Sequence, residues 1–188
     1  MIMPGQTQRD PLDSTAVPAT CFARVTTPIG RLLLVGGSDG RRLALRGIYF
    51  DGAPHSAGVI PPDAREDVAA FAEVRAQLDA YFEGTRTSFD LALAPLGTEF
   101  QRRVWSALAT IPYGTTTTYA AVARAIGKPR AVRAVGAANG KNPLSIVVPC
   151  HRVVGKDGTL TGYAGGLPSK RRLLEIESVR RTSAFKSV

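Results

Sequence analysis

The chain has 188 residues, of which 44% are hydrophobic and 21% charged, a composition typical of a globular protein with a buried core. No apolar run approaches the ~20 residues that a membrane span needs. Residues 1–20 contain Arg9, Asp10 and Asp13 but no apolar segment. We therefore expect no secretory signal, a poorly ordered leader over 1–20 and a cytoplasmic protein.

The net charge of +9 is divided unequally between the two halves of the chain. Residues 1–98 hold 9 basic and 11 acidic residues, a net −2, whereas residues 99–188 hold 15 basic and 4 acidic ones, a net +11. A basic half beside a near-neutral half is typical of a protein that binds a polyanion. An arginine-rich proteome also raises the charge of its proteins, so charge alone leaves this interpretation open.

Cysteine and histidine are scarce and widely spaced. Cys21, Cys150, His55 and His151 do not form a zinc-binding spacing, so we expect no metal. We also expect no other cofactor. In a reducing compartment two thiols are favoured over a disulfide.

The first half of the chain predicts a small sheet followed by a helix. Alternating runs between turns predict strands over 22–27, 31–35 and 43–50. Apolar residues at helical spacing predict a helix over 65–82, capped by Asp63, and residues 89–93 predict a further strand. Pro95-Leu96-Gly97 marks a boundary, which gives an N-terminal α/β domain over 21–97.

The second half is predicted to be mostly helical. Thr98 caps a helix that carries Val104 and Trp105 on its apolar face. Helices over 119–126 and 130–139, separated by a Gly-containing turn, indicate a helix-turn-helix. Short β-type runs follow at 144–148 and 153–154, and a last helix begins near Pro168. These elements give a domain over 98–178 and a basic tail over 179–188.

Cys150 is the candidate nucleophile, since a thiolate attacks carbon readily and His151 stands beside it to take the proton. On an extended segment, neighbouring side chains point to opposite faces, so a bridging water is favoured over direct contact. The alternative is an inert core cysteine, because unpaired Cys is among the most buried residue types.

The second helix of the helix-turn-helix is the candidate DNA contact. Arg130 and Arg133 lie three residues apart on it, Lys128 precedes it, and small residues such as Ala134 and Gly136 permit close approach to a DNA backbone. The alternative is an ordinary helical hairpin. Tyr119 is either a core aromatic or a phosphate contact, and a residue such as Glu177 is more often a surface charge.

Taken together, these residues resemble the methylated-DNA–protein-cysteine methyltransferases, the O6-alkylguanine-DNA alkyltransferases. The resemblance is strong over 98–178 and looser over 21–97. It rests on a nine-residue signature and on flanking motifs at the family's distances: Ile146-Val147-Val148-Pro149-Cys150-His151-Arg152-Val153-Val154, Arg133-Ala134-Val135-Gly136, Asn142-Pro143 and Tyr163-Ala164-Gly165-Gly166-Leu167. The implied fold is α+β, with a ribonuclease H-like N-terminal domain (a three-stranded antiparallel sheet with a helix) and a helical, winged-helix-like C-terminal domain.

The resemblance also implies a role for each site residue. Cys150 accepts the alkyl group, His151 takes its proton through a water, and Glu177 orients His151. Asn142 braces the segment before the cysteine. Tyr119 rotates the target phosphate and supports the leaving guanine. Arg133 enters the base stack in place of the flipped base. The further DNA contacts are Lys128, Arg130, Ala134 and Gly136. The flipped base lies in a pocket formed by Val153, Tyr163 and Ala164.

The implied activity is repair of O6-alkylguanine, and of O4-alkylthymine, in double-stranded DNA, with one turnover per molecule. We expect a monomer, with cooperative binding along DNA left open. A non-enzymatic lesion sensor would lack the acceptor, a thiol hydrolase would need an oxyanion site, and a helix-turn-helix regulator would be a dimer. Ala137 stands where many family members have a second glycine.

Overall fold

The computed structural model describes residues 21–38 and 43–184, with side chains described at 21–37 and 43–178. The predicted leader over 1–20, the turn at Asp39-Gly40 and the last four residues of the predicted tail lie outside this part of the chain. None of the helices that the structure describes is both long enough and apolar enough to cross a membrane.

The N-terminal half forms the predicted antiparallel meander. Its strands are β1 (Cys21–Thr27), β2 (Gly30–Ser38) and β3 (Leu43–Phe50), with β2 in the middle. Cys21, Ala23 and Val25 of β1 are buried while the residues between them are more exposed, because one face of this strand packs on the core.

The predicted helix over 65–82 is wrong in its first seven residues. Residues Arg65–Glu66 form a short strand, β4, which pairs in parallel with the start of β1. A 3-10 turn follows, and the helix α1 covers Ala72–Phe82. Asp67 rather than Asp63 receives a backbone N–H, from Ala70 at 2.9 Å. Pairing with β1 overrides the helical pattern of the sequence at these residues.

The predicted strands over 89–93 and 144–148 reduce to single bridges on the outer edge of β3. Leu93 bridges Leu45, and Leu144 bridges Ile48. After Leu144 the chain turns, and buried Ile146 takes a φ of 74°, a left-handed conformation that is unfavourable for a β-branched residue. This turn ends the strand and directs the chain toward Cys150.

The C-terminal half contains the predicted helices with small changes of bounds. Helix α2 covers Glu99–Ala109, and Thr98 caps it, as predicted. The structure shows that this cap is a reciprocal capping box with Gln101. Helices α3 and α4 then cover Tyr119–Ala125 and Val132–Gly140. Arg130 therefore lies in the turn before α4 rather than on the helix. The Trp105 indole N–H donates to the Ala138 carbonyl at 2.9 Å and fixes α4 against α2.

Two further elements complete the fold around the cysteine. Strand β5 (Thr117–Thr118), which the sequence pattern did not indicate, pairs in parallel with β6 (Val153–Val154). The last helix, α5, covers Gly166–Ala184, so helix continues into the segment predicted as a tail. The two halves share one core, since Ile48 of β3 exchanges backbone hydrogen bonds with Pro143 and Ser145.

Candidate active site

Cys150 opens a single 3-10 turn, Cys150–Arg152, rather than lying on an extended segment as predicted. The side chain is 4% exposed. Burial raises the pKa of the thiol, while a hydrogen bond to the Asn142 side chain and the positive charge of Lys170 act in the opposite direction. The thiol therefore needs a base if it is to react near neutral pH.

Asn142 holds the turn that leads to Cys150. Its Nδ2 donates to the Val148 carbonyl at 2.8 Å, and its Oδ1 accepts from the backbone N–H of Leu144 at 3.0 Å. These bonds span the segment that contains the left-handed Ile146. One buried side chain thus stabilises an unfavourable backbone conformation directly before the thiol.

His151 and Glu177 are brought together in the core, where both side chains are at most 1% exposed. His151 Nε2 lies 2.9 Å from Glu177 Oε1. The same carboxylate accepts hydrogen bonds from Arg152 at 2.9 Å and from the backbone N–H of Gly114 at 3.0 Å. Burial raises the pKa of Glu177, but the hydrogen bonds from His151 and Arg152 outweigh it and lower this pKa to about 2.

The protonation of His151 follows from these contacts. An ionised carboxylate can only accept hydrogen bonds, so the proton of the neutral ring is assigned to Nε2 and Nδ1 carries the lone pair. Burial lowers the pKa of His151 more than Glu177 raises it, which keeps the ring neutral near pH 7. Nδ1 is buried and has no hydrogen-bond partner among the described residues. This nitrogen is therefore available as a base.

Tyr163, one of the predicted pocket residues, lies next to His151. The Tyr163 ring stands edge-on to His151 at 6.4 Å between centroids and to Phe50 at 5.5 Å. The Phe50 ring also packs against the backbone of Gly165, so closely that a Cβ there would lie 2.3 Å from it. The N-terminal sheet thus supports the loop that carries Tyr163 and Ala164.

Lys170 supports the same loop from α5. Its Nζ donates to the Val153 carbonyl at 2.6 Å and to the Thr161 carbonyl at 3.0 Å, and the side chain is fully buried. Burial lowers the pKa of Lys170, whereas Cys150 raises it. From α5, the ammonium group thus holds β6 and the loop after it together, and its charge acts on the candidate nucleophile.

The candidate DNA contacts lie on the outer surface of the helix-turn-helix. The side chains of Lys128, Arg130, Arg133 and Ala134 are exposed, while Val135 and Ala138 turn into the core. Gly136 faces the ring of Tyr119, and the Tyr119 hydroxyl shares a hydrogen bond of 2.8 Å with Thr161. Tyr119 therefore connects the candidate DNA-binding helix α4 to the loop that carries Tyr163.

Four residues of the site were not singled out in the sequence: Tyr81, Gly114 and Arg152, which bind Glu177, and Lys170, which lies near Cys150. Arg152 lies within the nine-residue signature, yet nothing in the pattern indicates that a cation two residues from Cys150 is only 6% exposed. Tyr81 falls on the apolar face of α1 and is indistinguishable there from a core aromatic. Within the described residues, no group of three or more His, Cys, Asp or Glu side chains is arranged to hold a metal.

Comparison with known proteins identifies the class to which this arrangement belongs. Residues 22–95 match the family described as 6-O-methylguanine DNA methyltransferase, ribonuclease-like domain, and residues 99–179 match its DNA binding domain. The chain therefore belongs to the methylated-DNA–protein-cysteine methyltransferase family.

Relatives are similar over most of their length. The methylated-DNA–protein-cysteine methyltransferase of Mycobacterium bovis is 57% identical over 160 residues, which are 85% of this chain and 93% of the relative. That of Methanosarcina barkeri is 50% identical over 154 residues, 81% and 94% of the two chains. The crystal structure of Mycobacterium tuberculosis OGT in complex with DNA has a TM-score of 0.77 and 45% identity, covering 86% of this chain and 94% of that one.

Proposed function

We propose that this protein repairs DNA by transferring the alkyl group of O6-alkylguanine, and of O4-alkylthymine, in duplex DNA to Cys150. The observation that carries the proposal is the buried base beside the thiol. His151 is neutral, its Nε2 is bound to an ionised Glu177, and its Nδ1 is unpartnered among the described residues. A buried base with a free nitrogen favours a reactive thiol over the alternative of an inert core cysteine.

The chemical step uses these groups in order. His151 Nδ1 takes the thiol proton of Cys150, directly or through one water, and the charge that forms on the ring is stabilised by Glu177. The thiolate attacks the alkyl carbon, an S–C bond forms, and the C–O6 bond breaks with its electron pair left on the guanine. The Tyr119 hydroxyl supports the leaving base by donating a hydrogen bond or a proton to it.

Access to the base requires DNA to bind and the lesion to leave the stack. The charge of +11 over residues 99–188 attracts the phosphate backbone. Exposed Arg133 on α4 is placed to enter the stack and occupy the position of the flipped base. Lys128, Arg130, Ala134 and Gly136 contact the minor groove around it. The crystal structure of the tuberculosis relative in complex with DNA supports DNA as the partner.

The product is a thioether, which nothing in the site converts back to a thiol. The only other cysteine, Cys21, lies on β1 in the N-terminal sheet. One molecule therefore repairs one lesion. We further propose that the protein acts as a monomer. We place the protein in the cytoplasm, because the acceptor has to remain a thiol.

Intact-protein mass spectrometry tests the proposal. The protein is incubated with duplex DNA that contains one O6-methylguanine, and Cys150→Ser is treated in parallel. We expect a single added methyl group on Cys150 of the wild type and none on the variant. Repair of more than one lesion per protein, or binding of the lesion without any change of mass, contradicts the proposal; the second result would indicate a lesion sensor.

A further inference from the structure

Tyr81 brings the N-terminal domain into the active site. It lies on α1, yet its hydroxyl donates a hydrogen bond of 2.8 Å to Glu177 Oε1, across 96 residues of sequence. The side chain is fully buried, and its ring packs near those of Phe89 and Tyr113 at 5.5 and 6.1 Å between centroids. Burial and the adjacent carboxylate raise the pKa of the phenol, so the hydroxyl keeps its proton and acts as a donor.

The oxygen that Tyr81 binds is the one that orients the base. Oε1 of Glu177 accepts from Tyr81, from His151 Nε2 at 2.9 Å and from Arg152 at 2.9 Å. Three donors therefore share one oxygen atom. Each donor withdraws negative charge from the carboxylate and so weakens the hold of the carboxylate on the His151 proton.

We propose that Tyr81 is a positioning residue for alkyl transfer, which holds Glu177 Oε1 in place and limits the basicity of His151. The proposal rests on the proposed function, in which His151 takes the Cys150 proton. It assigns the N-terminal domain a part in the chemistry, through one hydroxyl group, in addition to its part in the shared core.

Substitution of Tyr81 by phenylalanine isolates this hydroxyl. The ring contacts with Phe89 and Tyr113 are kept, and Oε1 retains its two donors from His151 and Arg152, so no buried acceptor is left unpaired. With one donor fewer, Glu177 attracts the His151 proton more strongly and the pKa of His151 rises. The other ionisable groups around the pair, which are unchanged in the variant, are Cys150, Arg152, Tyr163, Tyr113 and Lys170.

The test is the pH dependence of single-turnover methyl transfer in Tyr81→Phe. We expect the acidic limb of the rate profile to move to higher pH by roughly half a unit to one unit. The variant should then be about three- to tenfold slower than wild type on that limb and close to it above pH 8. Tyr49→Phe is the matched control, since Tyr49 lies on β3 with its ring over Gly47 and is not part of the site.

A lower melting temperature with an unchanged pH profile would overturn the proposal, because a merely structural role predicts that result. A second measurement does not depend on alkyl transfer. The protein has two histidines, exposed His55 and buried His151, so the ring of His151 can be titrated separately by NMR. Its pKa should be higher in Tyr81→Phe than in wild type, even if Cys150 proves not to accept a methyl group. An equal pKa in the two proteins refutes the role of Tyr81 and leaves the proposed function untouched.

Discussion

The two regions that this protein needs for its proposed activity are built in opposite ways. Around Cys150, charged and polar groups are buried and bound to one another: Glu177 alone accepts from four residues. On α4, Arg133 and Ala134 are exposed. The groups of the proposed chemistry are therefore arranged when the chain folds, whereas the proposed DNA surface acquires its contacts only when DNA binds. Substitutions around Cys150 should consequently lower both the methyl transfer rate and the stability of the fold, whereas substitutions on α4 should lower only the repair of duplex DNA.

The largest effect is expected from Glu177→Gln. The amide keeps the size of the side chain but removes the charge that pairs with Arg152 and orients His151, so both the base and the fold are weakened. We expect methyl transfer to slow about a hundredfold or more, as for loss of general base catalysis, and the free energy of unfolding to fall. Single-turnover kinetics measure the transfer rate, and urea unfolding measures the free energy of unfolding. A variant with wild-type rate would show that the buried network is structural only.

Acid should destabilise the buried region in two stages. The folded-state pKa of His151 is lowered, so stability falls as the pH drops through the unfolded value of about 6.5. Glu177 has a folded-state pKa of about 2 against 4.5 for the free group, so its contribution is complete above pH 4.5 and is lost between 4.5 and 2. That second loss amounts to about 3 kcal/mol.

Urea unfolding at a series of pH values measures this dependence. In Glu177→Gln the loss between pH 4.5 and 2 should shrink. If the wild type and the variant lose the same stability over that range, the carboxylate is not responsible.

For Arg133→Ala we expect a smaller effect, confined to the DNA surface. Repair of duplex DNA should weaken roughly ten- to hundredfold, with less loss on free alkylated guanine, because the base needs no flipping when it is free. Stability should stay within about 0.5 kcal/mol of wild type, as for most exposed positions. Arg75→Ala removes the same charge from α1 and serves as the control. Equal losses on duplex and free base would contradict the flipping role.

The smallest effect is expected from Thr98→Ala, which lies in neither region. It removes the side-chain cap of α2 and should cost about 1 kcal/mol of stability, read from urea unfolding. The methyl transfer rate of the folded protein should be unchanged. A change in rate would mean that stability in general, and not the buried network, controls the chemistry.

The sequence predicted those features of the structure that depend on residues close together in the chain. Thr98 followed three residues later by Gln101 identifies a helix start, and the motif around Cys150 identifies the family, because both depend on neighbours in sequence. The strand at Arg65–Glu66 and the turn at Ile146 were missed for the opposite reason. The first exists because β1 offers a free edge, and the second because Asn142 fixes the backbone from outside the apolar run.

The hydrogen bond from Tyr81 to Glu177 belongs to the same class of missed features. It joins residues that are 96 positions apart, and either residue alone has an ordinary explanation, one as a core aromatic and the other as a surface charge. Only the packing of α1 against the C-terminal half reveals the pair. Sequence therefore identified Cys150 and His151 and, through the family resemblance, Glu177 and Asn142. The other groups that contact them, such as Tyr81 and Arg152, emerged only from tertiary structure.

The burial of Cys150 has a consequence for the protein after it has reacted. Cys150 is 4% exposed and therefore a core residue. The proposed reaction converts its thiol to a methyl thioether and so enlarges a side chain in a closely packed interior. Adding a methyl group to a filled core typically costs about 1–3 kcal/mol. The methylated protein should therefore melt at a lower temperature than the unreacted protein, and the melting temperature would distinguish the two forms.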